Sequence, residues 1–351
     1  MKVLFFGGTG LISTACAELA VESGIELTVV TRGTRPTPTG ATSVVADIHD
    51  TDALAEVLAT HPADVVVNWV AFTPEDVARD LALLSDRVGQ YVFISSASAY
   101  EKPPTRYLIT EETALSNPYW DYSRNKIACE RRLLDAFESD GFPATIVRPS
   151  LTYGDTQIPL VTNSWEYPYT IVARMRAGKS IVVPGDGTSL WTFTHNTDFA
   201  KGLIRLLGND QAIGEAIHIT SDEVLSWNQA YETVAASAGV EPRPVHVASD
   251  FIAACIPEMV GTLHGDKSHS VVFDNTKIKR LLPGYQATTS FAEGVSQAVA
   301  WFDADPARRQ VDSDADRRWD RLLALYREGQ ERARARMAAP ALLSDLASAE
   351  S

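Results

Sequence analysis

Short runs that are apolar on successive residues punctuate the first half of the chain: "KVLFF" (2–6), "ELTVV" (26–30), "SVVA" (43–46), "DVVVNW" (64–69), "YVFIS" (91–95) and "ATIVR" (144–148). Runs of this length, hydrophobic on both faces, predict strands of a parallel sheet covered by helices on both sides. Between them the spacing predicts helices near 11–23, 51–60, 74–87 and 118–140. Alternating strands and helices imply an α/β fold, a doubly wound parallel sheet with right-handed crossovers. The second half is less regular. It holds "YPYTIVARMRAGKSIVVPGDG" (167–187), a helix near 197–208, a strand "AIHIT" (216–220) and helices near 226–238 and 291–302. We expect a dinucleotide-type domain over 1–160, rejoined by about 195–220. A smaller C-terminal substrate domain is expected from 161–194 and 221–310. Residues 311–337, with seven Arg and six Asp/Glu, predict a solvated helix able to lie on a partner subunit, followed by a loose tail from Ala338.

Composition narrows the function classes. Lys and Arg number 31 against 45 Asp and Glu, a formal net charge of −14, which argues against a nucleic-acid partner. Cys16, Cys129 and Cys255 have no metal-ligand spacing and are odd in number, so they are expected to be buried thiols in a reducing cytoplasm. No run reaches membrane-spanning length, and the start, Met1 to Phe6, is too short for a signal-peptide core.

The stretch "FFGGTGLIS" follows the first strand and opens a helix, the context a dinucleotide fingerprint requires. Gly7 allows the tight turn. Gly8 and Gly10 let backbone N–H groups approach a pyrophosphate, whose charge the helix N-terminus favours. Ser13 stands where a third glycine is usual. After strand two, no carboxylate awaits a ribose 2′-hydroxyl; Arg32 and Arg35 of "RGTR" suit a 2′-phosphate instead, favouring NADP over NAD. Asp47 and Ile48 follow strand three, placed to hold adenine.

Strand five ends in "ISSASAY", and about 26 residues later comes "YSRNK", a tyrosine four residues before a lysine on a predicted helix. Lys126 beside Tyr122 would favour the ionised phenol and fit it for proton transfer, with Ser96 holding a substrate oxygen. These pieces in this order, with "VRPSLTYG", "PGDG", "HNTDFA" and "PGYQATTSFAEGVSQAVAWF", resemble the extended short-chain dehydrogenase/reductases, the NAD-dependent epimerase/dehydratase group, over about residues 1–302. The resemblance implies Ser96, Tyr122 and Lys126 as catalytic residues. It implies cofactor contacts from Thr9, Leu11, Ile12, Val70, Ala71, Pro149 and Ser150, with Tyr122 and Lys126 also touching the cofactor. Ser98, Tyr153 and Trp191 would touch the substrate. It further implies a homodimer.

Departures from the family pattern matter as much. Enzymes of the group acting on nucleotide diphosphate sugars carry an Asn and an Arg that grip the diphosphate; Leu151 and Trp191 stand here. Trp165, Trp191, Tyr167 and Tyr169 are candidates for core filling or for stacking on a sugar or base. Arg174, Arg176 and Lys179 are read as a solvated helix face, with a phosphate contact as the alternative. The Asp-Glu pair of the 4,6-dehydratases is replaced by Ala97 and Ser98, disfavouring that elimination route, though not one using another acid or base. "HGDKSH" (264–269) reads as a polar loop, with a lid over the substrate as the alternative; no metal site is expected. The leading expectation is an NAD(P)-dependent epimerase or dehydrogenase acting on a hydroxyl-bearing carbon of a sugar-like or nucleoside-like molecule. The alternative left open is a cofactor-sensing or RNA-binding protein, since "FFGGTG" and "TRG" are similar to those of the chloroplast stem-loop RNA-binding proteins.

Overall fold

The computed structural model describes residues 1–338. Seven strands form one parallel sheet: β1 (Lys2–Phe6), β2 (Glu26–Thr31), β3 (Thr42–Val45), β4 (Val65–Asn68), β5 (Gln90–Ile94), β6 (Ala144–Pro149) and β7 (Ala216–Ile219). Their order is β7-β6-β5-β4-β1-β2-β3. Every neighbouring pair is parallel, with Phe6 opposite both Val30 and Asn68. The direction of winding reverses between β1 and β4, so a crevice opens at their C-terminal ends.

Helices cover both faces, as the doubly apolar strands require. On one side α1 (Leu11–Glu22) and α6 (Asn196–Leu206) pack over Val3, Phe5 and Val29. On the other, α2 (Thr51–Thr60), α3 (Pro74–Leu84) and α4 (Asp121–Asp140) pack over Leu4, Phe6 and Val66. α4 begins at Asp121 rather than near 118, and Gly141 ends it in a left-handed conformation at φ 70°.

A further hydrophobic cluster is built from the second half: α5 (Thr170–Arg176), α7 (Trp227–Ser237), α8 (Ser249–Cys255), α10 (Phe291–Asp303) and α11 (Ser313–Met337), with α9 (Thr276–Leu281) packed instead under the sheet through Ile278. The short parallel pair Ile181–Pro184 and Pro244–Val247 lies among them. α11 is not the free solvated helix expected: Trp319, Leu322 and Leu323 are buried in its own chain's core. Its acidic residues also claim the basic cluster. Arg174 reaches Asp316 and Asp320, each at 2.6 Å, and Lys179 pairs with both. Arg176 binds Asp303. Arg174 is buried, whereas Arg176 and Lys179 keep part of the solvated face expected, and all three are already paired with carboxylates of this chain. Cys16 and Cys129 are buried free thiols, but Cys255 is exposed. The expected tail from Ala338 falls, beyond that residue, outside the described residues. No helix of the described residues is long and apolar enough to cross a membrane.

Candidate active site

Gly7 and Gly8 turn the chain from β1 into α1 at φ 81° and 137°. A Cβ on Gly8 would lie 2.7 Å from Val29 Cγ1, so the loop can pass this close to β2 only as glycine. Gly10 behaves differently from expectation. Its N–H donates to Ser13 Oγ at 2.9 Å, so the serine at the third glycine position caps its own helix and occupies that donor. The first-turn N–H groups of α1, including those of Leu11 and Ile12, have no acceptor within the helix, as a helix N-terminus that receives an anion requires.

Beside this loop lies a cleft of about 250 Å³ lined by Gly7, Thr9, Arg32, Asp47, Ile48 and Val70. Among them Arg32, Asp47 and Ile48 are the residues expected at the adenosine end of a dinucleotide and the others are expected cofactor contacts; the bare glycine turn, free helix N-terminus and adjoining cleft fit that group. Arg35 sits apart, donating to the Thr9 carbonyl at 3.2 Å on the far side of the loop. The wall carrying Val70 and Ala71 is set from below: buried Asn68 accepts both their N–H groups at 2.8 Å and donates to buried Asp80. Tyr91 donates to the same carboxylate. Sequence patterning showed none of this network, because Asn68 and Asp80 meet only through the fold.

A second cavity, also about 250 Å³, is lined by Ser96, Ser98, Tyr122, Pro149, Ser150 and Trp191 among others. Phe72, in the wall of the first cleft, lies 6.4 Å ring to ring from Tyr122 in the second. Ser123 donates to Ser98, and Ser98 and Ser96 share a hydrogen bond at 2.9 Å. The result is a row of three serine hydroxyls beside the phenol. Burial pushes Tyr122 above the usual tyrosine range, the nearby Ser96 hydroxyl opposes this, and Asp266 adds to the rise.

Lys126, read from its spacing as the partner of Tyr122, is turned toward backbone carbonyls. It is buried, and its Nζ donates to the carbonyls of Ala71 and Ile94, each at 2.7 Å, and sits over the Phe72 and Phe93 rings. It lies 5.8 Å from the Tyr122 ring centre, and burial lowers its own pKa to about 8. In this state Tyr122 is held protonated rather than acidified by its neighbour.

Arg148 of β6 grips Glu130 of α4 at 3.0 and 2.5 Å, and Ser95 donates to the same carboxylate. The helix bearing Tyr122 is thereby tied to the strand that ends at Pro149 and to the residue before Ser96.

Two expected substrate contacts diverge. Trp191 lines the cavity while stacking on Trp227, so it fills core and faces the site at once. Tyr153 is fully buried, packed edge-on against His195 and Phe291, and does not reach the cavity. Conversely, the segment read as a polar loop, 264–269, supplies Asp266 and Lys267 to the wall from a tight π-helical turn, Leu263–Lys267. Asn117 pins it, donating to Gly265 O at 2.7 Å and to Ser98 O at 2.9 Å. No group of metal-ligating side chains exists among the described residues.

The chain is 28% identical to the 2'-dehydrokanamycin reductase of Streptomyces kanamyceticus over 82% of its length and 80% of that protein's. It is 28% identical to a chloroplast stem-loop binding protein of Arabidopsis thaliana, covering 70% of this chain and 65% of that one. In fold it matches the dTDP-glucose 4,6-dehydratase of Bacillus anthracis, solved with NAD, at a TM-score of 0.70 and 18% identity, over 88% of this chain and 98% of the other. A model of the NAD dependent epimerase/dehydratase family matches residues 3–220, and to that family, within the extended short-chain dehydrogenase/reductases, the chain belongs.

Proposed function

We propose that the protein is an NAD(P)-dependent oxidoreductase that reduces, oxidises or epimerises a hydroxyl-bearing carbon of a sugar-like substrate, with Tyr122 as acid/base. The observation that carries the reading is the convergence of Tyr122, Ser96 and Ser98 with Pro149 and Ser150 on one cavity next to the glycine-loop cleft. The similarity to a 2'-dehydrokanamycin reductase agrees with it.

The dinucleotide, when bound, supplies or accepts the hydride. Gly7, Thr9, Arg32, Asp47 and Ile48 would hold its adenosine end, and Val70, Ala71, Pro149 and Ser150 would flank the remainder. Arg32, with no acid at the ribose position, favours NADP over NAD. Ser96 orients a substrate oxygen toward Tyr122, whose phenol gives that oxygen a proton as a carbonyl is reduced. Burial keeps the phenol protonated at neutral pH, the form that donates a proton when a carbonyl is reduced. Lys126 acts chiefly as a brace: it fixes Ala71 and the end of β5, between which the reactive groups lie.

Tyr122→Phe is expected to lower turnover by roughly 10²–10⁴-fold while dinucleotide affinity stays unchanged, read by calorimetry and absorbance at the nicotinamide band. Unchanged turnover overturns the assignment. The likeness to the stem-loop binding protein supports a second reading, RNA binding without redox chemistry. Tight RNA binding by protein that turns over no carbonyl or polyol would favour it.

A further inference from the structure

The charged residues in the wall of the Tyr122 cavity are Lys102, Asp266 and Lys267. All three are buried, at 3%, 7% and 7% exposure. They come from separate places: Lys102 follows the serine loop, and the other two come from the π-helical turn that Asn117 pins to it. Lys267 Nζ spends one donor on Asp266 Oδ2 at 2.6 Å and lies 5.0 Å from the centre of the Trp191 ring. Lys102 Nζ is 4.0 Å from the Asp266 carboxylate, beyond hydrogen-bond reach. Two ammonium groups with spare N–H donors thus face one carboxylate, a local charge of +1 inside a chain whose net charge is −14.

Burying an unmatched ammonium is costly, and an acceptor of opposite charge offsets that cost. Burial holds Lys102 below the usual lysine range, Asp266 opposes this and Lys267 adds to it, so an incoming anion would relieve a strain already present. The cavity, at about 250 Å³ and open past Trp165, has room within its walls for one ring with its substituents.

Resting on the reading of Tyr122 as acid/base, we propose that Lys102 and Lys267 form an anion subsite, and that the substrate is a single sugar-sized ring bearing a carboxylate or a phosphate ester. The Trp191 face supports the ring side of Lys267 and Asp266 holds the two ammonium groups in place between turnovers.

The test uses full-length protein loaded with dinucleotide and a panel of neutral sugars, each paired with its uronic acid and its 6-phosphate. Binding is followed by thermal shift and calorimetry at low ionic strength. Expected is a preference of at least about tenfold for a charged member over its neutral parent, the acid and phosphate arms showing which anion is taken. Lys267→Gln and Lys102→Gln are each expected to abolish the preference while dinucleotide affinity persists; if one variant fails to fold, the other still decides. Binding of neutral and charged members alike, binding of none of the charged members, or a preference that survives both substitutions overturns the proposal. Tyr122→Phe should leave the preference intact, so loss of turnover and loss of anion selectivity are read separately.

Discussion

Glu130 and Arg148 form a buried, two-point ion pair between α4 and β6, their side chains 0% and 3% exposed. Tyr122 stands eight residues before the first on the same helix, and Pro149 directly follows the second. The pair therefore sets the distance between the acid/base and the strand end that faces it.

Removing one partner should cost far more than removing both. Glu130→Ala strands a guanidinium in the core and is expected to destabilise the fold by about 3–5 kcal/mol. Glu130→Leu combined with Arg148→Met should recover most of that loss while turnover stays impaired. Urea denaturation of the two variants beside the native protein checks it. Equal destabilisation by the single and double changes would mean that the ion pair is not what matters there.

Lys126 gives stability a pH dependence of known sign. Its folded pKa, about 8, lies below the unfolded value of roughly 10.4, so below pH 8 the fold carries the full cost of a buried charge. Between these values the unfolded chain retains a proton the native state has shed. Stability from this group therefore rises with pH, by about 3 kcal/mol over the whole window. Denaturant midpoints at pH 7.5 and 9.5 should rise for the native sequence relative to Lys126→Met. Parallel behaviour of the two proteins would show that the ammonium is not depressed.

Cofactor choice is expected to turn on Arg32, exposed in the adenosine cleft, rather than on Arg35, which is engaged with Thr9 O. Arg32→Ala should weaken NADP about tenfold or more and NAD little, as fits the loss of one charge-assisted contact. Titration calorimetry with each dinucleotide reads this directly. A native preference for NAD would remove the basis for it.

The C-terminal helix is expected to be part of the folding unit. Trp319 is 6% exposed within the second-half core, and Trp319→Ala should cost about 3–5 kcal/mol. Thermal unfolding would show one lowered transition. An unchanged midpoint would mean that α11 docks without contributing.

Strands and the glycine turn were legible in the sequence because each is a local pattern: doubly apolar runs such as "DVVVNW", and Gly7-Gly8 where positive φ admits nothing else. The juxtaposition of Ser96, Ser98 and Tyr122 was legible too, since both segments end at the same sheet edge. What spacing did not disclose was direction. Four residues separate Tyr122 from Lys126, yet the ammonium turns to two carbonyls deeper in the fold. Nor could composition reveal that the acids of α11 neutralise Arg174 and Lys179, or that Tyr153 is swallowed by the packing of α10. "HGDKSH" was polar enough to read as surface. Its burial depends on Asn117, 148 residues from its partner Gly265 along the chain.

That same asparagine sets one side of the cavity apart from the other. Its two bonds clamp the serine turn and the Asp266 turn into a single unit, whereas Trp165 across the opening is 55% exposed. Drift toward new substrates in this lineage would accordingly run through the region of Trp165, where a mutation can reshape the mouth without loosening the floor.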